Sequence, residues 1–250
     1  MNLRNALPVA LALVVFVGAW KLVTTVSGLP PFILPPPEAV AVRFVEAWAD
    51  PQLMRPHAAA TLREVVAGFA VGAGLAVAIG YLLARSRLAE RVLSPYLVAA
   101  QATPILALAP LLALWFPDGL TSKIVICALI VFFPVAVATM VGIRSVDAGL
   151  LELGRSLRAT PRQIFLTLEI PAAMPSILGG MRVGVTLAVV GAIVGEWAGA
   201  ERGLGVLINL ARGSLFDIPL MFATLVTIAL LGVALYVLVV LVERRLVGAR

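Results

Sequence analysis

The chain has 250 residues, of which 62% are hydrophobic and 13% are charged, and its mean hydropathy is +1.07. Charged residues make up about 25% of ordinary soluble domains, so this composition excludes a soluble protein and indicates a polytopic membrane protein. The net charge of +6 does not indicate nucleic-acid binding, because the basic residues lie in the short segments between apolar runs. The single cysteine, Cys127, excludes an internal disulfide, and no Cys/His cluster predicts a metal site.

Long apolar runs predict an all-α fold with six membrane-spanning helices in one transmembrane domain, residues 1–250. A run of ~20 residues is long enough to cross a bilayer as a helix. The predicted spans are residues 7–26, 62–84, 93–116, 123–143, 176–198 and 218–242, with a short turn at 117–122. A signal peptide is the alternative for the first run, but the run is longer than an h-region and lacks a clear cleavage site, which favours an uncleaved helix.

The connection between the first two spans begins with the sequence LPPFILPPPEAV, whose prolines exclude a regular helix. Residues 38–49 then carry apolar side chains at helical spacing. This pattern predicts an amphipathic helix on the outer surface, with Val40, Phe44 and Ala47 on one face. His57 follows in the same connection, where we expect a solvated side chain rather than a ligand.

Two features within the second and third spans indicate close packing or a pathway. Gly68 and Gly72 have the small-xxx-small spacing that lets a neighbouring helix approach closely. Gln101, Thr103 and Pro104 interrupt the third span. Such a break is tolerated either as a packing kink or as the lining of a water-filled pathway, and both interpretations remain open.

The outer end of the fifth span carries Glu196, which we take as the one acidic side chain embedded in the membrane. It is interpreted either as an interfacial residue paired with Arg202 or another chain, or as part of a substrate path. Glycines recur at four-residue intervals from Gly191, so this span is expected to pack closely on a neighbour. The partly apolar loop at residues 199–217 predicts a re-entrant helix.

A polar, Arg-rich segment at residues 147–175 separates the fourth and fifth spans. Its first part predicts an amphipathic helix lying across a surface. The apolar face consists of Leu150, Leu153 and Leu157, and the charged face consists of Glu152, Arg155 and Arg158. An ordinary solvated loop is the alternative on these features alone.

The second part of this segment carries signals for another helix. Thr160, Pro161 and Gln163 supply an N-cap, a proline at the first helical position and a capping-box partner, which predicts a short helix after a bend. Pro171 and Pro175 are expected to bracket the entry to the fifth span, because proline is tolerated in a first turn but disrupts a helix interior.

The distribution of basic residues predicts the orientation of the chain. One group of connections carries Arg4, Arg85, Arg87, Arg91, Arg144, Arg155, Arg158, Arg162, Arg244, Arg245 and Arg250. The opposite group carries Arg43, Arg55, Lys123, Arg202 and Arg212. The positive-inside rule therefore places both termini and the polar segment in the cytoplasm.

Three classes of protein fit a chain of this kind. The sequence has no P-loop, HExxH or GxSxG motif and no acid–base pair at one depth, so an enzyme with its own ATPase site is not expected. An ion-coupled secondary transporter usually needs ionisable groups or broken half-helices near the midplane, and this chain offers few. A membrane scaffold and the permease of an ATP-driven system are the other two classes.

The polar segment resembles the EAA loop of bacterial ATP-binding-cassette (ABC) importer permeases. The family pattern runs Glu-Ala-Ala, a glycine four residues on, and Ile-x-Leu-Pro further along. Glu152 matches the first position, and Ile170 with Pro171 matches the closing part. The departures are Leu153 and Gly154 in place of the alanines and Arg158 in place of the glycine.

The resemblance extends over nearly the whole chain and is strongest to the nitrate/sulfonate/taurine permease family, the binding-protein-dependent transport inner membrane components. The supporting stretches are LPPPEAV, ATPILALAPLLALWF, FFPVAV and the GLG at residues 203–205. The stretches VGEWAGAERGLG, FATLVTIALLGVAL and ERRL are more similar to permeases for pyrimidine thiamine precursors or riboflavin than to those for inorganic anions.

This resemblance implies a type I ABC importer fold with a cytoplasmic coupling helix, assembled as a homodimer in the lipid of the bacterial cytoplasmic (inner) membrane. It implies two cytoplasmic ATP-binding subunits, which bind ATP and Mg while this chain binds no cofactor, and a periplasmic or lipid-anchored solute-binding protein. The expected substrate is a small organic solute or anion, with a pyrimidine thiamine precursor or riboflavin favoured over sulfonate, taurine or nitrate.

The resemblance also implies roles for individual residues. Those expected to couple the chain to the ATPase are Glu152, Gly154, Arg155, Leu157, Arg158, Ala159, Ile170 and Pro171. In this hypothesis the charged face contacts the ATPase, while the leucine face packs on the permease's own helices. The substrate is expected to pass near Gln101, Thr103, Pro104 and Glu196.

Overall fold

The computed structural model describes residues 3–116 and 119–248, so the predicted turn at Pro117 and Asp118, and Arg250, lie outside the described residues. All regular secondary structure in these two ranges is helical, and neither range contains a strand. The first helices are α1 (Leu3–Val26), α2 (Pro37–Ala49), α3 (Met54–Arg85), α4 (Arg87–Ala102), α5 (Ile105–Trp115) and α6 (Leu120–Arg144). They are followed by α7 (Ala148–Ser156), α8 (Pro161–Ile164), a π-helical turn (Phe165–Glu169), α9 (Ile170–Gly199), α10 (Leu204–Gly213) and α11 (Ile218–Val247).

Four stretches are long and apolar enough to cross a membrane as single helices: α3, α6, the continuous stretch Pro161–Gly199, and α11. Helices α4 and α5 meet at an angle of 95°. They make a fifth crossing if the bent pair is counted as one broken span. In the first run, Ala10–Val26 counts only as a shorter apolar helix. The all-α membrane fold is therefore confirmed, whereas the predicted count of six spans is not.

The centre of the molecule is formed by α3, α6 and α9, which pack against one another along their lengths. Their shared core contains Val65, Cys127, Val131, Val135, Ala188 and Ala192. A Cβ on Gly72 would lie 2.6 Å from the Ala128 carbonyl oxygen and 2.8 Å from its Cα. The predicted close approach at the Gly68 and Gly72 pair is therefore confirmed, and the neighbour is α6.

The predicted amphipathic helix on the outer surface is α2, whose Val40 and Ala47 are buried. On its polar side, Arg43 Nε donates to Asp217 Oδ2 at 2.7 Å and so joins α2 to the start of α11. Glu38 forms an ion pair with Lys21 of α1, and hydrogen bonding to that ammonium holds the pKa of the Glu38 carboxyl below its ordinary value.

The other ion pairs also lie at the two ends of the bundle. Arg144 donates to Glu90 at 2.6 Å where α6 ends and α4 begins. At the opposite end, Lys123 near the start of α6 lies 3.8 Å from Glu64 of α3. The connections that carry most of the arginines therefore meet at one end of the bundle, in agreement with the grouping used for the orientation prediction.

Two predicted boundaries are wrong for identifiable reasons. The connection after α2 ends early, because α3 begins at Met54 rather than near residue 62 and so includes His57. The second helix of the polar segment is neither short nor separate, since it continues through the π-helical turn into α9. Pro171 lies in the first turn of α9 directly after the π-helical turn, and Pro175 lies inside α9.

Candidate functional site

The segment from Asp147 to the π-helical turn is held in a defined conformation by its own caps. Asp147 Oδ1 accepts a hydrogen bond from the Leu150 N–H at 3.0 Å and begins α7. Thr160 and Gln163 form the predicted capping box, with Gln163 N donating to Thr160 Oγ1 at 3.3 Å and Thr160 N donating to Gln163 Oε1 at 2.8 Å. The segment is therefore an ordered pair of helices and not a solvated loop.

Arg158 lies at the bend between the two helices, with φ at +56°. A non-glycine residue in this left-handed region costs roughly 1–2 kcal/mol, because Cβ approaches the following carbonyl oxygen. The next residue, Ala159, donates its N–H to the Gly154 carbonyl at 3.0 Å and closes the bend. The EAA pattern has glycine at the position of Arg158. The left-handed backbone conformation supplies a physical reason for that preference.

The direction of the leucine face differs from the expectation. Leu150, Leu153 and Leu157 are 48%, 56% and 74% exposed, so the prediction that they pack on the permease's own helices is wrong. Helix α7 instead contacts the bundle through buried Gly154, where an added Cβ would lie 3.1 Å from Leu168 Cδ1. Gly154 lies one turn after Leu150 on the same side of α7, so the contact is made at the small residue while the leucines around it stay largely uncovered.

The remaining residues of the implied coupling set surround this bend. Glu152, Arg155 and Arg158 are exposed, as is Pro171, whereas Ala159 and Ile170 are half-buried. The charged and apolar faces of α7 are thus both uncovered. Together they form one surface at the end of the bundle where the arginines gather.

A cavity of about 750 Å³ opens between the α4–α5 bend, α6 and α9. Its polar lining residues are Gln101 and Thr103 before the bend and Ser176 of α9, and no charged side chain lines it. Pro104 precedes α5 with φ −69° and ψ 104°, which ends α4 and turns the chain. The break therefore places Gln101 and Thr103 at a cavity, although Pro104 itself is not among the lining residues.

Glu196 lies elsewhere, in a buried polar cluster near the start of α3 and the end of α9. Its Oε1 accepts a hydrogen bond from Thr61 Oγ1 at 2.5 Å, and its Oε2 accepts one from the Gly205 N–H at 2.5 Å. Thr61 Oγ1 in turn accepts the Leu204 N–H at 2.9 Å. The carboxylate therefore satisfies one backbone donor at the start of α10 directly and holds Thr61, which satisfies the next; within the described residues it makes no ion pair with Arg202.

His57 extends the same cluster, and the expectation that it is a solvated loop residue is wrong. Its Nδ1 lies 2.7 Å from the Gly203 carbonyl oxygen. Gly203 has φ +144°, and a side chain there would collide with the Glu196 carboxylate. Glu64, one turn after Thr61, is also buried, so Glu196 is not the one embedded acidic residue.

Sequence reasoning missed the polar stripe on α3 that forms this cluster. His57, Thr61 and Glu64 recur at intervals of four and three residues, which is the spacing of one helix face. A start of α3 near residue 62, as the sequence predicts, leaves His57 and Thr61 in a loop and hides the stripe. Within the described residues, no group of three or more His, Cys, Asp or Glu side chains has a metal-binding arrangement.

A helical membrane bundle with a capped, exposed amphipathic helix between its fourth and fifth long apolar runs is the arrangement expected of an ABC importer permease. Residues 71–248 match the model of the family described as binding-protein-dependent transport system inner membrane component. The chain belongs to this family of integral membrane permeases.

Several relatives of known description support the assignment. The riboflavin transport system permease protein of Chloroflexus aurantiacus is 46% identical over 97% of this chain and 90% of its own length. The formylaminopyrimidine transport permease protein of Halalkalibacterium halodurans is 35% identical over 92% and 90%. The putative aliphatic sulfonates transport permease protein of Bacillus subtilis is 34% identical over 94% and 85%.

Solved structures support the same fold. An inward-facing structure of the MetNI methionine ABC transporter aligns with a TM-score of 0.67 at 20% identity, over 78% of this chain and 95% of that chain. A further match is the crystal structure of an amino acid ABC transporter with histidines, at a TM-score of 0.56 and 21% identity, covering 82% and 94%. The type I ABC importer-like fold inferred from the EAA resemblance is confirmed.

Proposed function

We propose that two copies of this chain form the membrane pathway of an ABC importer and couple it to two cytoplasmic ATP-binding subunits that carry ATP and Mg. The observation that carries the proposal is the uncovered leucine face of α7, formed by Leu150, Leu153 and Leu157. An apolar face on an ordered polar segment outside the spans is characteristic of a surface that a partner covers. Exposed Glu152 and Arg155 beside it supply charged groups for the rim of that interface.

The proposed pathway follows the cavity between the α4–α5 bend, α6 and α9. The cavity is open on one side, so a second copy of the chain facing it would complete a channel from two equal halves. The continuous helical stretch Pro161–Gly199, which includes α9, begins at the capping box beside α7. Movement of α7 during the nucleotide cycle would therefore reach the cavity wall that α9 forms.

The proposed substrate is a small organic solute without a large net charge. Gln101, Thr103 and Ser176 offer hydrogen-bonding groups, while the rest of the cavity wall is apolar or glycine. A nitrate or sulfonate ion would find no cation in this lining, whereas a planar heterocycle would find apolar walls and a few polar groups. Together with the riboflavin and formylaminopyrimidine relatives, this lining favours riboflavin or a pyrimidine thiamine precursor over sulfonate, taurine or nitrate.

The remaining partners and the orientation belong to the same proposal. A periplasmic or lipid-anchored solute-binding protein would deliver the substrate to the end of the bundle that carries α2 and α10. Both termini and α7 would lie in the cytoplasm, as the arginine distribution predicts. Labelling of single cysteines at Leu153 and at Leu215, one on each predicted side, would report the orientation in intact cells.

The experiment that tests the function separates ATP-driven import from ion-coupled transport. Cells expressing the chain with its ATP-binding and solute-binding partners are assayed for uptake of radiolabelled riboflavin and of a labelled hydroxymethylpyrimidine. We expect uptake of one of them to cease on ATP depletion and to persist when an uncoupler collapses the proton gradient at constant ATP. Uptake that follows the proton gradient instead would identify a secondary transporter and contradict the proposal.

A further inference from the structure

The buried residue Glu169 links the polar segment at residues 147–175 to a second spanning helix, α3. Glu169, the last residue of the π-helical turn, is 1% exposed. Its Oε1 lies 3.0 Å from Arg85 Nη1 in an ion pair, and its Oε2 accepts a hydrogen bond from the Tyr81 hydroxyl at 3.4 Å. Both partners belong to the last turns of α3, so the carboxylate joins α3 to the helix that leads into α9.

Aromatic contacts reinforce the same junction. The Tyr81 ring meets the Phe165 ring edge-on at a centroid distance of 4.9 Å, and the Arg85 guanidinium lies 5.9 Å from the Tyr81 ring centroid. Phe165 is the first residue of the π-helical turn and Glu169 is its last. Both ends of this turn are therefore held against α3.

The turn between those ends has a local cause and a mechanical consequence. The Ile170 N–H bonds to the Phe165 carbonyl, five residues earlier, and Pro171 follows without an N–H of its own. In a regular α-helix the ring of Pro171 would collide with the Thr167 carbonyl, and the wider turn relieves that collision. A wide turn next to a proline is a point at which a helix bends easily.

Helix α7 reaches this turn from the other side. Buried Gly154 packs on the side chains of Ile164 and Leu168, with would-be Cβ distances of 3.6 Å and 3.1 Å to their nearest atoms. A displacement of α7 is thus delivered to the residues that flank and form the π-helical turn. An unsupported turn would bend and absorb that displacement before it reached the spanning part of α9.

We propose that Glu169, Arg85 and Tyr81 form a joint that keeps the π-helical turn from bending, so that movement of α7 displaces α3 and α9 as one body. This inference rests on the proposed function and assigns a positioning role within it. The close packing of α3 and α9 on α6 then carries the movement to the cavity walls. Without the joint, the ATP-binding subunits hydrolyse ATP but the cavity walls do not move with α7.

The test measures the number of solute molecules transported for each ATP hydrolysed by the complete reconstituted complex. The first variant, Glu169→Gln, weakens the ion pair by removing the carboxylate charge. The second, Arg85→Gln, removes the guanidinium, which is the half-exposed partner of the pair. Glu243→Gln is the matched control, because Glu243 also pairs with an arginine between two spanning helices, Arg182 Nε at 3.2 Å, and neither residue belongs to the polar segment at residues 147–175. Tyr81→Phe keeps the ring contact with Phe165 and removes the hydroxyl alone.

We expect Glu169→Gln and Arg85→Gln to retain ATP hydrolysis and to lower the transport ratio about tenfold, since each loses the ion pair between the two residues. Tyr81→Phe should have a smaller effect and Glu243→Gln none. A transport ratio equal to that of the wild type in Arg85→Gln and Tyr81→Phe would overturn the joint. A wild-type complex that hydrolyses ATP without importing solute would instead overturn the proposed function, and the joint with it.

Discussion

Glu196 Oε2 accepts the backbone N–H of Gly205 at 2.5 Å and so attaches the first turn of α10 to the outer end of α9. Because the other carboxylate oxygen binds Thr61, one side chain connects three helices. This geometry gives Glu196 a structural role, and it separates the residue from the cavity that Gln101 and Thr103 line. The first prediction tests that distinction.

Glu196→Ala should destabilise the protein, because it leaves the buried Gly205 N–H without its acceptor and removes the shorter of the two contacts that the Thr61 hydroxyl makes with an acceptor. Hydrogen bonds to charged groups contribute about 1.5–3 kcal/mol each, so we expect a loss of about 3 kcal/mol in the free energy of unfolding. The reaction of Cys127, which is fully buried, with a fluorogenic thiol reagent during heating reports unfolding. Exposed Glu201→Ala is the control and should not change the midpoint. An unchanged midpoint in Glu196→Ala would contradict the structural role.

Arg158→Gly should stabilise the bend after α7, because glycine adopts a φ of +56° without the steric cost that arginine carries. We expect about 1 kcal/mol, which corresponds to roughly fivefold slower amide hydrogen exchange in residues 154–164. Arg158→Val should accelerate the same exchange, since a β-branched side chain fits this region poorly. Faster exchange in the glycine variant than in the wild type would mean that the arginine side chain itself holds the bend.

Leu153→Asp should abolish the association of the permease with its ATP-binding subunit while leaving the bundle folded. The side chain is uncovered in the chain alone, so the substitution disturbs no internal packing. Loss of one buried leucine from an interface weakens association by at least about tenfold. The measurement is co-purification of the ATP-binding subunit, with Leu215→Asp, 53% exposed near the opposite end, as the control. Equal recovery of the subunit with both variants would remove α7 from the interface.

Val137→Trp should block transport by filling the cavity. Val137 lines the cavity and is 52% exposed, so a larger side chain occupies open space rather than the packed core. Uptake should fall while assembly with the ATP-binding subunit is retained. Val237→Trp on α11 places the same side chain at a comparably exposed position outside the cavity and should transport normally. Normal uptake in Val137→Trp would exclude this cavity as the pathway.

Local signals predicted much of this fold, because caps and apolar periodicity depend on residues close in sequence. The capping box at Thr160 and the close approach at Gly72 are examples, and the structure contains both. The α4–α5 break likewise follows from Pro104, although no sequence rule predicts its angle of 95°. Local patterns therefore identified the helices and the polar segment but not their mutual arrangement.

The features that were missed depend on partners far apart in the chain. The contact between His57 and Gly203 joins residues 146 positions apart, and the link between Tyr81 and Glu169 joins residues 88 apart. The leucine face of α7 was assigned to the wrong surface because periodicity defines a face without saying what covers it. In the structure only Gly154 on that side packs against Leu168, and the leucines stay uncovered, which periodicity alone does not reveal.

The most direct test of the account is solute uptake by purified permease, ATP-binding subunit and solute-binding protein reconstituted into vesicles, with ATP on the side that α7 faces. We expect accumulation of riboflavin or a pyrimidine thiamine precursor that requires hydrolysable ATP and that is lost with Leu153→Asp. Accumulation that proceeds without ATP, or that is unchanged by Leu153→Asp, would contradict coupling through the leucine face of α7.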